Sequence, residues 1–242
     1  MRYWVVMPAA GASRRFGGSL PKQHWPLAGS TVLEVALRPF TADPRCMALA
    51  LVLHPGTLAD AALRARLPPA VVPVAGGEER SDSVLQGLDA LAAQAGPHDR
   101  ASPQESDWVL VHDAARPCLS AGDLERLLAA GEAHAHGALL AAPVADTLKR
   151  AGEDGCCTAT IERRSLWRAL TPQMFRYGAL RAALGVARAA ARTPTDEAQA
   201  MEWQGVRARL VQAADSNIKI TNRSDLAVAE AILAERATGA VP

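Results

Sequence analysis

The sequence is short of most features that would assign it a compartment or a chemistry at once. No apolar run approaches the roughly 18 residues that a membrane-crossing helix needs, and the first residues lack the charged, apolar and small-residue succession of a secretory leader. A cytoplasmic protein without membrane attachment is expected. Neither sign of charge is in excess: 26 Lys and Arg against 25 Asp and Glu leave a formal net charge of +1. Such a chain has no overall attraction for nucleic acid or an anionic membrane, so any phosphate chemistry must come from local clusters. Cysteine is scarce, with four residues at Cys46, Cys118, Cys156 and Cys157. There is no C-x-x-C, and an adjacent pair is poorly disposed for an ordinary disulfide, so free thiols are expected. Of six histidines only His134 and His136 are close in sequence, and two residues apart on a helix they point different ways, which argues against zinc. A Ser/His/Asp or Cys/His constellation for nucleophilic catalysis is also missing.

What remains is ordinary globular composition, 49% apolar and 21% charged over 242 residues. That length suits one α/β domain with an excursion. The run Trp4 to Ala9 reads as a buried strand, Met47 to Leu53 as a second and Ala70 to Val74 as a third. Between them, Thr31-Val32-Leu33-Glu34 has the spacing of a capping box and opens a helix through Leu37 to Phe40, while Thr57 to Leu67 carries a helical pattern ended by Pro68-Pro69. Strand and helix in alternation predict a Rossmann-like, mostly parallel sheet flanked by helices. Further along, strands are expected at Trp108 to His112, Ala138 to Val144 and Asn217 to Thr221. Helices are expected around Ala121 to Ala135, Phe175 to Ala191, after Thr195-Asp196-Glu197, and from Ser224 to Glu235. Ala92 to Asp107 reads as a polar surface loop.

Three stretches stand out chemically. The first strand ends in Pro8-Ala9-Ala10-Gly11-Ala12-Ser13-Arg14-Arg15, continuing to Pro21-Lys22-Gln23. Small residues let backbone N–H groups approach a ligand, and Arg14, Arg15 and Lys22 bring cations to the same place, as a polyphosphate requires. A plain turn with solvated arginines reads the same residues. Neither a Walker A loop nor a dinucleotide fingerprint is present, because Lys22 sits between Pro21 and Gln23 and position 13 is Ser. The second stretch, Gly76-Gly77-Glu78-Glu79-Arg80-Ser81-Asp82-Ser83-Val84, offers main-chain donors and a hydroxyl to a planar base, or else Ser83 and Gln86 simply cap a helix. The third, Val111-His112-Asp113-Ala114-Ala115-Arg116-Pro117, delivers a carboxylate to the same edge of the sheet. There Asp113 suits a Mg²⁺ ion between protein and phosphates, or else an ion pair with Arg116 or a turn cap.

Between Ala145 and Glu162 the pattern breaks into a hairpin with no strong apolar face. A hairpin without a core of its own needs another surface, and a second subunit is the natural one. Asp196 and Glu197 read as favourable helix-start acids, and Lys219 as an exposed lysine.

The run from Pro8 to Gly11 with Arg14-Arg15 and Pro21-Lys22-Gln23 resembles the signature of sugar-nucleotide pyrophosphorylases. Its Pro-Lys-Gln ending is most similar to the 2-C-methyl-D-erythritol 4-phosphate cytidylyltransferases of the non-mevalonate isoprenoid pathway. Gly-Gly-x-x-Arg-x-Asp-Ser-Val, Val-His-Asp-Ala-Ala-Arg-Pro, Ala-Pro-Val-x-Asp-Thr-Leu-Lys-Arg and Asn-Ile-Lys-x-Thr resemble further segments of that family, in family order from Pro8 to Thr221.

The resemblance implies an enzyme that joins CTP and 2-C-methyl-D-erythritol 4-phosphate with release of pyrophosphate. It implies catalytic roles for Arg15, Lys22, Arg163 and Lys219, and a nucleotide site formed by Ala9, Ala10, Gly11, Ala12, Gly77, Arg80, Ser83 and Ala114. Asp113, Arg116, Thr147, Arg163, Thr171 and Lys219 would hold the methylerythritol phosphate, and Asp113 would face Mg²⁺. An arm at about 145–170, on a single nucleotidyltransferase domain, would be exchanged in a homodimer. A cytidylyltransferase for ribitol phosphate or another polyol phosphate, and a nucleotide-sensing regulator of the same fold, share much of this pattern.

Overall fold

The computed structural model of the chain describes residues 1–11, 21–93 and 102–238. The N-terminal half alternates as expected. Strand β1 (Tyr3–Ala9) is followed by a short 3-10 turn (Lys22–His24), the small ladder β2 (Pro26–Leu27) and β3 (Ser30–Thr31), and helix α1 (Val32–Thr41). Then come β4 (Cys46–Leu53), α2 (Pro55–Leu58), α3 (Ala61–Arg66), β5 (Val71–Ala75), α4 (Arg80–Ala93), β6 (Trp108–Val111), α5 (Ala121–Ala133) and β7 (Ala138–Pro143). The C-terminal part holds β8 (Leu148–Ala151), β9 (Cys157–Ile161), β10 (Trp167–Arg176), α6 (Tyr177–Ala189), α7 (Glu197–Glu202), β11 (Arg209–Gln212) and α8 (Ser224–Ala237).

Seven strands form the main sheet in the order β11-β7-β10-β6-β1-β4-β5, parallel throughout except for β10, which runs antiparallel to both neighbours. Alternation along β1 divides the interior. Tyr3, Val5 and Met7 face a core with Leu33, Leu37 and Phe40 of α1 and Leu127 of α5. Trp4 and Val6 face the opposite core with Val84 and Leu88 of α4 and Leu180 of α6. Successive strand side chains point to opposite faces, so one apolar strand serves two helical layers and must be apolar at every position. The opposite layer packs very closely: a Cβ on Gly87 of α4 would come within 2.5 Å of Val6 Cγ1.

The capping box at α1 forms as read, with Glu34 N–H donating to Thr31 Oγ1 and the Glu34 carboxylate accepting from Thr31 N–H. Elsewhere the structure corrects the reading. The segment Thr57 to Leu67 is two short helices, because Asp60 caps a new one through Ala62 N and Leu63 N. Phe175 and Arg176 end strand β10, and the helix begins only at Tyr177. Helix α4 starts at Arg80, so Ser83 lies inside it and is not its cap. Asn217 to Thr221 is no strand. It is a segment without regular structure, held by Ile220 N–H to Ala115 O and by burial of the Ile220 side chain against Leu27, Val32 and Val35.

Strands β8 and β9 pair antiparallel as a separate two-stranded sheet, with Leu148 opposite Ile161 and Arg150 opposite Ala159. Their side chains are mostly exposed. All four cysteines are unpaired. Among the described residues, no helix is long and apolar enough to cross a membrane.

Candidate active site

The chain runs outward from β1 through β4 to β5 on one side, then returns to place β6 on the other side of β1. Ligands in open α/β sheets bind at such a reversal, beyond the carboxyl ends of the strands. A cleft of about 780 Å³ lies there. Pro8 to Gly11 enter it from β1, Gly76, Gly77 and Arg80 from β5, and Asp113 to Ala115 from β6, with Lys22 and Lys219 beside them. Ala9, Ala10, Gly11, Lys22, Gly77, Arg80, Ser83, Asp113, Ala114 and Lys219 thus share one cavity. Arg15 and Ala12, with Arg14, lie outside the described residues.

The glycine turn is fixed by contact. Gly76 N–H donates to Leu53 O at 2.7 Å, Gly77 N–H donates to Ser83 Oγ at 3.2 Å, and a Cβ on Gly76 would meet Ala10 Cβ at 2.5 Å. The β1 and β5 loops therefore touch through a position that admits no side chain. Gln23, buried beneath, donates from Nε2 to Ala9 O at 3.0 Å and ties the Pro21-Lys22-Gln23 segment to the end of β1.

Asp113 is the electrostatic centre. Lys219 Nζ lies 2.8 Å from its Oδ2, Arg80 donates to Oδ1 from Nε and an η-nitrogen at 3.3 and 3.1 Å, and Arg116 Nε is 3.6 Å away. Burial alone would raise its pKa, but the cations Arg80 and Lys219 outweigh burial and hold the carboxyl well below the usual range. It is ionised at neutral pH. Lys22 Nζ donates to Ile220 O at 2.8 Å, which brings its ammonium to the residue next to Lys219 and places two lysines on one rim of the cleft.

Arg116 and Thr171 stand behind this rim. Arg116 is buried and donates to Asn217 O at 2.8 Å, and Asn217 Nδ2 in turn donates to Thr171 O at 2.8 Å. His112 Nε2 lies 3.0 Å from Arg116 O. A carbonyl only accepts, so the ring proton is on Nε2, and Nδ1 accepts from the Thr171 hydroxyl at 3.0 Å. That hydroxyl accepts from Asp113 N–H at 3.0 Å. Burial lowers the His112 pKa to about 4, so the imidazole stays neutral and the relay keeps this direction at neutral pH.

Thr147 and Arg163 are elsewhere. They border a separate hollow of about 330 Å³ on the β8–β9 hairpin, together with Thr160, Ile161 and Glu162. Arg163 donates to Ala145 O of its own chain, while Glu162 pairs with Arg164 at 3.2 Å.

Glu197, read from the sequence only as a helix-start acid, has a larger part. Asp196 does cap α7, accepting from Gln199 N–H at 2.9 Å, but Glu197 is 1% exposed and takes hydrogen bonds from Arg80 at 2.6 and 3.2 Å. An acid at a helix start gives no sign in sequence of such a partner.

Comparisons with known proteins bear on the family and the fold of the whole chain. Residues 3–235 match the model of the family described as 2-C-methyl-D-erythritol 4-phosphate cytidylyltransferase. A protein of that name from Acidithiobacillus ferrooxidans is 52% identical over 239 residues, covering 97% of this chain and 98% of the relative. Another from Ectopseudomonas mendocina is 46% identical and covers 93% of each chain. Among solved structures, a 4-diphosphocytidyl-2C-methyl-D-erythritol synthase superposes with a TM-score of 0.79 at 36% identity, covering 96% of this chain and 98% of that one. The Thermus thermophilus cytidylyltransferase gives 0.74 at 30% identity, covering 95% and 98%. By the near-complete match of its sequence and the same mostly parallel α/β fold, this chain belongs to the 2-C-methyl-D-erythritol 4-phosphate cytidylyltransferase family.

Proposed function

We propose that the cleft beyond β1, β5 and β6 joins CTP to 2-C-methyl-D-erythritol 4-phosphate and releases pyrophosphate, by positioning and charge and without a protein nucleophile. The observation that carries this reading is the meeting, in one cavity at the sheet's reversal, of the glycine turn, the ionised Asp113 and the ammonium groups of Lys22 and Lys219. An oxygen of the methylerythritol phosphate attacks the α-phosphorus of CTP in line. The new P–O bond forms as the bond to the bridging oxygen of the departing pyrophosphate breaks, and negative charge gathers on the α-phosphoryl and leaving oxygens. The attacking phosphate is already anionic at neutral pH, so the demand on the protein is to overcome repulsion between anions.

Lys22 meets that demand at the leaving side, a role it shares with Arg15, and Lys219 holds the attacking phosphate. Gly77 and the loop tied by Ser83 bound the cytosine. Ala9, Ala10, Gly11 and Ala114 present backbone to the nucleotide, and Ala12 is assigned to the same group. Arg116 and Thr171 serve from behind: they fix Asp113 and the Asn217 to Thr221 segment that carries Lys219.

Asp113 would also hold Mg²⁺. No group of three or more His, Cys, Asp or Glu side chains able to hold a metal occurs among the described residues, so phosphate and water oxygens would complete the shell. Such a site fits Mg²⁺, which usually takes one or two carboxylates and leaves its other positions to phosphates and water. When bound, the ion would supply positive charge to the phosphates that the lysines only partly neutralise.

Thr147 and Arg163 border a hollow apart from the main cleft, and their hairpin is largely exposed. This supports a homodimer in which the arm at about 145–170 of each chain completes the other's substrate pocket. The whole chain then works as one nucleotidyltransferase domain with an exchanged arm, in the cytoplasm.

The test is pyrophosphate release measured across the four ribonucleoside triphosphates and several polyol phosphates. CTP with 2-C-methyl-D-erythritol 4-phosphate should exceed every other pair by kcat/KM. Comparable turnover with ATP, or with ribitol 5-phosphate, would overturn the assignment.

A further inference from the structure

Glu197 is the least expected acid in the molecule. It opens α7, a helix whose first turn is bolted to β10 on both sides of it: Gln173 Nε2 donates to Asp196 Oδ2 at 2.9 Å, and Gln173 Oε1 accepts from Ala198 N–H at 2.8 Å. The Glu197 side chain is thereby held in the interior, where an unpaired carboxylate would be very costly. Arg80 lies against both of its oxygens, an η-nitrogen 2.6 Å from Oε1 and the other 3.2 Å from Oε2.

Arg80 itself starts α4 at the carboxyl end of β5 and lines the cleft. A guanidinium carries five N–H groups. In Arg80 the Nε–H, both hydrogens of one η-nitrogen and one hydrogen of the other point at carboxylates, Asp113 on one side and Glu197 on the other. Only a single N–H is left over. The fork therefore cannot close on a triphosphate in the two-pronged way arginines favour, and two buried acids offset its charge. Burial would lower its pKa, yet Glu197 and Asp113 keep the guanidinium protonated. A side chain locked along its edges is a fixed wall and not a mobile phosphate hook.

We propose that Glu197 is a positioning residue for nucleotide recognition: it acts through Arg80, holding that guanidinium as a rigid side of the base pocket beside Gly77 and Ser83. The two residues are 117 apart in sequence, so α7 and its anchor on β10 become part of the nucleotide site without touching substrate. With Glu197 replaced by glutamine, one of the two oxygens facing Arg80 becomes a donor that repels the fork, and Arg80, held firmly only by Asp113, is freed to swing toward the phosphates. CTP then binds less well, while the chemical step, which rests on Lys22 and Lys219, is spared.

This inference rests on the reaction proposed above. Glu197→Gln, Arg80→Lys and the double variant are compared with wild type by steady-state kinetics, varying each substrate at saturation of the other, with Tm as a control. Glu197→Gln should raise the KM for CTP about tenfold, with kcat and the KM for methylerythritol phosphate within about threefold of wild type. Arg80→Lys should raise the same KM, and the double variant should be no worse than Arg80→Lys alone, because lysine has no fork left to orient. A role confined to anchoring α7 would instead multiply with Arg80→Lys. An unchanged KM for CTP in Glu197→Gln, or effects that multiply, would overturn the proposal. Should Glu197→Gln fail to fold, Glu197→Asp, which keeps the charge but withdraws it by one methylene, is measured in the same way, and a wild-type KM for CTP there would also overturn it. Wild type inactive with CTP would sink the reaction itself, whereas active wild type beside an unaffected Glu197→Gln sinks only this role.

Discussion

Acidification should loosen this protein through one histidine, by an amount the structure sets. His112 is fully buried and its pKa falls from an ordinary 6.5 to about 4. The folded chain thus refuses a proton that the unfolded chain accepts below about 6.5. Where the unfolded state binds more protons, stability rises with pH, so this contribution is complete above about 6.5 and is lost as pH falls toward 4. The whole drop corresponds to about 3 kcal/mol, of which about 2 kcal/mol is lost between pH 7 and pH 5. For a chain of this size that lowers Tm by roughly 4–8 °C. The assay is thermal unfolding of wild type and His112→Asn from pH 7 to pH 5, where few carboxylates titrate. Asparagine leaves an acceptor for the Thr171 hydroxyl and cannot be protonated. His112→Asn should be less stable at pH 7, from lost packing, but its Tm should decline less over the interval by the amount stated. His24, whose pKa burial also lowers, contributes equally to both proteins and cancels. Parallel Tm curves would refute the reasoning. The consequence reaches function, since a proton on Nδ1 would face the Thr171 hydroxyl with a second donor and disturb the bond to Asp113 N–H.

Two further outcomes are expected. Lys22→Ala should lower kcat by on the order of 10²-fold with a much smaller change in the KM for CTP, because a contact strongest in the transition state appears in the rate; a rise in KM alone would refute that role. A mixed dimer of Arg163→Ala and Lys22→Ala chains should recover about half of wild-type activity if the arm serves the partner subunit, since one site then carries both lesions and the other neither. A mixed dimer as inactive as its parents would place Arg163 in its own chain's site.

The local rules of the chain were enough for the sheet and for the walls of its cleft. Cys46 to Leu53 is apolar without interruption because it is buried between two helical layers, and that signal survives in one dimension. The capping box at Thr31 and Glu34, the glycine turn and the segment after β6 are equally local: each needs only neighbours within a few residues to declare its conformation. Fold class and the loops carrying Gly77, Asp113 and Lys22 follow from such patterns, and resemblance orders them. Long-range choices have no such trace. Asn217 to Thr221 has the composition of a strand, yet β11 takes the sheet position beside β7, and the segment is held by Ala115 O and an apolar pocket under α8. Ser83 looks like a helix cap until α4 is seen to begin three residues earlier, which turns its hydroxyl toward Gly77. Glu197 reads as a helix-start acid in any context, and becomes Arg80's counter-ion only because β10 inverts within the sheet and carries α7 to the cleft. Periodicity reports which face of an element is buried, so it determined the layers; that Glu197 meets Arg80, and Lys22 the carbonyl of Ile220, depends on contacts more than a hundred residues apart, and only packing decides those.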